Sequence, residues 1–211
     1  MTSGYEHLRR LLGDVGGRRV LVLGAEADAV VALARAGATV IAVDSEAPRA
    51  DAARAALDRA ELKAEVRTGP LADLAFLRAD SVDAAVSVGA LAHEAELDRL
   101  FRQVQRVLRP VAPFAFTLPH PLALVAGKEE EPPGSLPLAA PFIARSYFDP
   151  APIALGDEEP VHPHTITTVF TGLVRAGFRV DVIGEPEPPR TASGPALVPE
   201  LVVWRGRKEG A

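Results

Sequence analysis

The amino-acid sequence predicts an α/β fold, a doubly wound and mostly parallel sheet of seven strands in which the last strand runs antiparallel. Three observations lead to this prediction. Apolar segments alternate with segments of helical periodicity along most of the chain. The first apolar segment, RVLVLG at 19–24, is continuous, as in strands buried on both faces of a parallel sheet. A Pro- and Gly-containing stretch without helical periodicity separates the last two strands, which favours an antiparallel return.

Seven strands and four helices follow from the periodicity. The strands are expected at residues 19–24, 38–43, 64–67, 81–88, 113–118, 178–183 and 201–204. The helices are expected at residues 29–36, 48–60, 97–108 and 165–176. Gly37 and Gly177 directly follow two of these helices, where glycine is a common helix terminator. The recognisable core begins at about Gly13, so about a dozen residues precede it.

The chain is expected to form one domain over residues 1–211. Its length and its 48% apolar content supply one continuous hydrophobic core. Regular patterns lapse between Pro119 and about Val161. This stretch contains EEEPPGSLPLAAP, whose three consecutive glutamates and four prolines oppose a regular element. We therefore expect a flexible insertion at about 119–161.

Composition excludes several classes of partner. A net charge of −5 and a pI near 5.6 argue against a surface that binds nucleic acid or an anionic membrane, because both require clustered Lys and Arg. The absence of cysteine excludes disulfides and thiolate chemistry. No segment approaches the roughly 18 apolar residues that a membrane span needs, so we expect a cytoplasmic protein. A homodimer is one assembly state that the sequence leaves open.

A candidate ligand site follows from the predicted topology. Ligands of doubly wound sheets bind beyond the carboxyl ends of the central strands. Gly24 ends the first strand, and a glycine turn there lets a ligand approach the backbone. Asp44 ends the second strand, where a carboxylate can accept hydrogen bonds from ribose hydroxyls. The two residues are 20 positions apart, the spacing expected of such a unit, although either residue can also serve only a turn or a helix cap.

Several segments together resemble the class I S-adenosylmethionine (SAM)-dependent methyltransferases. The segment RRVLVLGAEADAVVALARAGATVIAVD is similar to the first motif of that family, and SVDAAVSVGALAH is similar to its fourth-strand motif. LDRLFRQVQRVLRP and FAFTLPHP are similar to the helix and strand that follow. SYFDP and VHPHTITTVFTGLVRAGF resemble the substrate-side segment of small bacterial members. The resemblance extends from about Gly13 to Lys208.

The resemblance implies a methyltransferase with a Rossmann-like fold, SAM as its cofactor and a small molecule as the methyl acceptor. Asp44 corresponds to the acid that holds the SAM ribose in the family. The implied cofactor-binding residues are Gly24, Ala25, Glu26, Asp28, Asp44, Ser45, Leu71, Ser87, Val88 and Gly89. The implied substrate residues are Tyr147 and His164.

Two histidines are candidates for catalysis. Methyl transfer from a sulfonium is a direct displacement, so a general base is needed only when the acceptor carries a proton. His93 follows the fourth strand at the mouth of the predicted crevice, and His162 lies on the substrate side. For His93, an ordinary loop position is the alternative reading. We expect no metal site, because the pair His162 and His164 has no third ligand at a recognisable spacing.

The cofactor turn departs from the family pattern, and this leaves a second function open. Glu26 and Asp28 stand where the family has glycines, and Pro70 stands where an acid often contacts adenine. A positive φ at either acidic position would cost roughly 1 kcal/mol or more. Two carboxylates in the turn would repel the diphosphate of NAD or FAD, whereas SAM carries no phosphate. The alternative function is a catalytically inactive binding or interaction module with the same fold.

Overall fold

A computed structural model describes residues 4–127, 142–154, 159–187 and 198–210. Within these ranges the chain forms nine strands, six α-helices and one short 3-10 helix at Ala90–His93. The strands are β1 (Arg19–Leu23), β2 (Thr39–Asp44), β3 (Glu65–Thr68), β4 (Ala84–Val88), β5 (Pro113–Pro119), β6 (Ala126–Gly127), β7 (Phe142–Ile143), β8 (Phe178–Gly184) and β9 (Leu201–Lys208). The helices are α1 (Gly4–Leu12), α2 (Ala27–Arg35), α3 (Ala47–Arg59), α4 (Leu97–Val107), α5 (Pro121–Val125) and α6 (Ile166–Arg175).

Seven of the strands form one mixed sheet in the order β3-β2-β1-β4-β5-β9-β8. The first five strands pair in parallel, and β9 runs antiparallel to both of its neighbours, β5 and β8. This topology confirms the predicted fold class, including the reversed last strand. The winding direction changes at β1, which lies between β2 and β4. The carboxyl ends of these three strands therefore border the crevice in which such sheets bind ligands.

Helices cover both faces of the sheet and bury two hydrophobic clusters. On one face α4 and α6 pack over an aromatic group that the sheet strands complete. This group consists of Phe101, Phe114, Phe116, Phe178 and Trp204, all at most 2% exposed. On the other face α1, α2 and α3 bury Leu8, Val30, Leu33 and Leu57. Because central strands are buried on both sides, they carry the continuous apolar runs from which they were predicted.

The helix α1 is an element that the periodicity analysis did not identify. It buries Tyr5, Leu8 and Leu12 at three- and four-residue spacing against β4 and β5. The apolar stripe is the signal that could have found it, but charged residues surround it in a short segment. The helix is part of the core on the same face of the sheet as α2 and α3.

The expected insertion at 119–161 contains regular structure at both ends. Helix α5 begins directly after β5, and the two-residue strands β6 and β7 pair antiparallel. Ile153 and Val161 form a further antiparallel bridge. The three glutamates at 129–131, with the rest of 128–141 and 155–158, lie outside the described residues. The flexibility of this region stays a prediction.

Val111 occupies a backbone conformation that a β-branched residue rarely adopts. Its φ is +67°, in the left-handed region that favours glycine. We expect Val111→Gly to raise the free energy of unfolding by about 0.5–1 kcal/mol, because relief of left-handed strain exceeds the extra chain entropy of glycine. The Val111 side chain is 58% exposed, so little burial is lost. Urea denaturation measures the change.

Ala112→Gly is the matched control for this substitution. Ala112 is buried and its φ is not positive, so glycine there adds chain entropy without relieving strain. We expect the control to be less stable than the wild-type protein. A Val111→Gly variant that is also destabilised would show that the valine is not strained in solution.

Candidate functional site

A cavity of about 260 Å³ opens at the carboxyl ends of β1, β2 and β4. It is lined by Gly24, Glu26, Asp44, Arg49, Val88, Gly89, Ala90 and His93. Five of the predicted cofactor residues and the predicted catalytic residue His93 therefore converge on one place. Larger hollows lie elsewhere, such as one of about 380 Å³ beside α4, but that one is not at the ends of parallel strands. Topology makes the smaller cavity the candidate site.

Gly24 shapes the turn between β1 and α2. Its φ is +84°, and a Cβ atom added there would collide with the Cβ atom of Ala90. Its amide donates to the Val43 carbonyl across the sheet at 2.8 Å. A residue with a side chain would have to adopt an unfavourable φ and push away the segment that follows β4. Glycine is thus required here for both conformation and space.

Glu26 acts as the N-cap of α2. Its carboxylate accepts hydrogen bonds from the amides of Asp28, at 3.3 Å, and Ala29, at 2.7 Å. Its φ is −62°, so the strain considered for a non-glycine residue in this turn does not arise. Asp28 is exposed in the first turn of α2, where a negative charge interacts favourably with the helix dipole. Glu26 and Asp28 thus stabilise the start of α2, at positions where glycines would make the turn more flexible.

Asp44 is 1% exposed, and both oxygens of its carboxylate accept hydrogen bonds. Oδ2 accepts from the Ala25 amide at 2.7 Å, and Oδ1 accepts from the Glu46 amide at 2.8 Å. The Nε of Arg49 lies 3.1 Å from both oxygens. Arg49 also reaches Glu159, with 3.4 Å between Nη2 and Oε2. Burial opposes the charge of Arg49, but Asp44 and Glu159 raise the pKa of its guanidinium above the ordinary value.

The other predicted cofactor residues do not line this cavity. They are Ala25, Asp28, Ser45, Leu71 and Ser87. Ala25 contributes its buried amide to Asp44, and Ser45 is exposed. Leu71 is 2% exposed within the core cluster, so it offers a ligand almost no surface. Ser87 is buried, and its hydroxyl has no hydrogen-bond partner among the described residues. Direct cofactor contacts by these side chains stay predictions.

The segment that follows β4 is tied to the substrate-side segment by three hydrogen bonds. The ring Nδ1 of His93 lies 3.2 Å from the Pro160 carbonyl. The His162 amide donates to the Ala92 carbonyl at 2.8 Å, and Nε2 of His164 lies 2.9 Å from the Glu94 carbonyl. The structure thus places all three predicted histidines near residues 90–95. The candidate cofactor residues and the candidate substrate residues are therefore close to each other along this segment.

A second hollow, of about 240 Å³, collects the predicted substrate residues. It is lined by Ala95, Tyr147, Phe148, Asp149, Pro150, His162, Pro163, His164, Thr165 and Thr168. Tyr147 and Phe148 contact each other edge to face, with ring centroids 5.2 Å apart. Their rings provide apolar surface beside imidazole and hydroxyl groups. Polar and apolar side chains thus line this hollow in about equal measure.

The ring of His164 is hydrogen-bonded to the backbone at Glu94. Because a carbonyl only accepts, Nε2 carries the proton that is donated to Glu94. Burial is the largest influence on His164, and it lowers the pKa together with the neighbouring His162, although the Glu94 carbonyl raises it. Burial also raises the pKa of Glu94, and repulsion from Glu159 adds to this effect.

The lowered pKa of His164 predicts a pH dependence of stability. A histidine whose pKa is lowered by folding stabilises the native state above its unfolded pKa of about 6.5, and this contribution is lost as pH falls through the folded value. We expect His164→Gln, which keeps an amide donor for Glu94, to flatten the fall in unfolding free energy below about pH 6.5. Urea unfolding at a series of pH values measures the slope. Identical slopes in both proteins would contradict the expectation.

Arg49 and Ala90 are cavity residues that the sequence analysis did not name. Arg49 lies in the first turn of the helix that follows Asp44, so its position close to the carboxylate could have been inferred. Ala90 becomes significant only through its packing on Gly24, which the sequence does not reveal. Neither a metal-binding group of three His, Asp or Glu nor a helix able to cross a membrane occurs in the described ranges.

Comparison with known proteins shows a similarity to methyltransferases. Residues 23–116, which run from the end of β1 into β5, match the family model described as a methyltransferase domain. A SAM-dependent methyltransferase from Mesorhizobium loti is 26% identical, with a TM-score of 0.82 over 98% of this chain and 99% of that chain. A candidate SAM-dependent methyltransferase from Listeria monocytogenes is 22% identical, with a TM-score of 0.78 over 98% of each chain. Among curated proteins there is no significant match.

The sequence and structural comparisons agree with the geometry. The matched residues include the turn at Gly24, the carboxylate of Asp44 and the segment after β4 that together line the cavity. The Mesorhizobium loti structure extends the similarity over nearly the whole chain, including the reversed strand β9. Residues 23–116 therefore resemble a methyltransferase domain, and the chain as a whole has the fold of the SAM-dependent methyltransferases.

Proposed function

We propose that the protein binds SAM in the cavity at Gly24 and Asp44 and transfers its methyl group to a small molecule. One observation carries this proposal: the turn after β1, the carboxylate at the end of β2 and the segment after β4 meet at one cavity, and all three lie in the part of the chain that matches a methyltransferase domain. SAM supplies a methyl carbon bonded to a sulfonium. The protein has to bind, orient and shield the reacting groups.

The donor set of the cavity suits a cationic nucleoside. Glu26 and Asp44 contribute two carboxylates to its lining against the one guanidinium of Arg49, and a ligand with an ammonium and a sulfonium gains from the net negative charge. Asp44 would hold the ribose hydroxyls, and the backbone at Gly24 would lie against the ligand. The Glu26 carboxylate already occupies the amino terminus of α2, the place where a dinucleotide would put its diphosphate. This arrangement argues against NAD and FAD.

The acceptor site in this proposal is the second hollow. Tyr147 and Phe148 supply apolar contact, and His162 and His164 supply polar contact. A volume of about 240 Å³ suits a small molecule better than a folded macromolecule. His93 lies in the cofactor cavity, hydrogen-bonded to the Pro160 carbonyl, and would orient groups at the boundary between the two hollows. The nature of the attacking atom, O, N or C, stays open in this proposal.

Calorimetry with SAM and with its demethylated product tests the cofactor assignment. We expect saturable binding of both ligands at a stoichiometry of one, and mass spectrometry of the purified protein to detect co-bound nucleoside. NAD is the matched control and is expected to leave the thermal unfolding midpoint unchanged. Absence of binding at millimolar SAM would overturn the proposal, and protection by NAD would point instead to a nicotinamide cofactor.

A catalytically inactive binding module is the second candidate function. It is favoured by the saturation of Asp44, whose oxygens are occupied by two backbone amides and Arg49. The fold does not fix the reaction. The structure named as the [4+2]-cyclase SpnF shares this fold at 16% identity, with a TM-score of 0.67 over 98% of this chain and 81% of that chain. A SAM-loaded protein after purification would count against this candidate.

A further inference from the structure

The ribose-binding place at Asp44 is occupied by a side chain of the protein itself. A carboxylate offers about four lone-pair directions. Two of them are used by the amides of Ala25 and Glu46, and Nε of Arg49 lies 3.1 Å from each of the two oxygens. Since Asp44 is 1% exposed, its remaining surface is closed as well. A ribose diol needs two acceptor positions, and the single Nε–H of Arg49, shared between the two oxygens, lies in front of both.

Arg49 is the partner of Asp44 that can move. The Ala25 amide is fixed in the turn at Gly24, and the Glu46 amide is fixed at the start of α3. The Arg49 side chain, in contrast, is 42% exposed and lies on the surface of the cavity. Its second partner, Glu159, is more distant at 3.4 Å and adjoins Pro160, whose carbonyl contacts His93. Rotation toward Glu159 would uncover Asp44 without any change in the backbone.

We infer that Arg49 is a specificity-determining residue of the cofactor cavity, one that must leave Asp44 for Glu159 before a nucleoside can bind. The inference rests on the proposed function, because it takes Asp44 as the ribose acceptor. Each binding event gives up the charge-assisted hydrogen bonds between Arg49 and Asp44. A guanidinium in the cavity also repels a sulfonium, so it disfavours SAM more than the uncharged thioether product. Arg49 thus lowers the affinity for SAM and the affinity for its product. Because the affinity for SAM is lowered more, Arg49 also reduces any preference for SAM over the product.

Arg49→Met tests this role, because methionine keeps much of the length and the helix propensity of arginine without a donor. We expect calorimetry to show SAM binding on the order of tenfold tighter than in the wild-type protein, and product binding tightened less. Arg54→Met is the matched control. Arg54 lies on the same helix with a side chain 41% exposed, but it pairs with Asp51 and does not line the cavity. The control is expected to bind both ligands as the wild-type protein does.

Two further variants keep the test decisive if Arg49→Met folds poorly. Arg49→Lys keeps the charge but not the contact of one Nε with both carboxylate oxygens, so an intermediate affinity is expected. Glu159→Gln removes the carboxylate that receives Arg49, and both ligands are expected to bind severalfold more weakly. Circular dichroism establishes that each variant is folded.

The possible outcomes separate this inference from the proposed function. Binding by the wild-type protein and Arg54→Met, with equal or weaker binding by Arg49→Met, would overturn the role of Arg49 and leave the proposed function intact. Binding only by Arg49→Met would support the inference in its strongest form. Absence of binding in every variant, including the wild-type protein, would overturn both.

Discussion

Gly24→Ala is expected to lower the free energy of unfolding by about 2–5 kcal/mol, one of the two largest effects predicted for this protein. A left-handed conformation costs a residue with a Cβ atom about 1–2 kcal/mol. Overpacking of a buried position adds about 1–3 kcal/mol. Both penalties apply, because φ is +84° and the new Cβ atom would overlap that of Ala90. Urea denaturation monitored by circular dichroism measures the loss.

Two matched variants separate the conformational penalty from the steric penalty. Gly17 has a φ of +68° with open space around its Cβ position, so Gly17→Ala should carry the conformational cost alone. Ala90→Gly removes the atom with which the new side chain collides. The double variant Gly24→Ala with Ala90→Gly should therefore recover the steric share, as a coupling energy in a double-mutant cycle. Additive effects of the two substitutions would show that the turn relaxes away from the residue after β4.

The fold could be predicted because the sheet is parallel and covered on both faces. Buried central strands leave continuous apolar runs, and β1, β2 and β5 were predicted close to their observed bounds. The last strand was predicted too short, since β9 continues to Lys208. Its second half carries Arg205 and Arg207, which pair with Asp181 on β8. In the sequence these arginines suggested that the strand had ended, because charged residues are uncommon inside a buried strand. The ion pairs that allow them there form only in the folded sheet and are not visible in the sequence.

The location of the candidate site followed from the sequence, but its internal contacts did not. Gly24 and Asp44 lie at the cavity because strand ends in a doubly wound sheet converge. The pairing of Asp44 with Arg49 depends on the rotamer of a long side chain. The capping role of Glu26 was also missed, since acidic side chains in a glycine-type turn suggested backbone strain. A local side-chain hydrogen bond instead gave that residue an ordinary φ.

Asp44→Asn is the second substitution with a large expected effect. The amide group keeps the shape of the carboxylate but turns one oxygen into a donor, which then faces the Ala25 amide or the Glu46 amide. We expect the free energy of unfolding to fall by about 2–3 kcal/mol, because a buried donor loses its acceptor and Arg49 loses its partner. This loss of unfolding free energy is small for the removal of one partner of a buried ion pair. The reason is that Arg49 is partly exposed and keeps its contact with Glu159.

Cofactor binding should respond to Asp44→Asn in the direction opposite to Arg49→Met. Loss of a charged acceptor for two ribose hydroxyls is expected to weaken SAM binding on the order of 100-fold. Asp51→Asn is the control, because Asp51 pairs with Arg54 on the same helix with its side chain 72% exposed, and such pairs contribute at most about 1 kcal/mol. The Asp44→Asn variant could be less stable and still bind SAM with wild-type affinity. In that case the carboxylate only stabilises the turn, and other groups must bind the ribose. Opposite responses from two residues in contact would instead show that Arg49 and the ligand compete for one carboxylate.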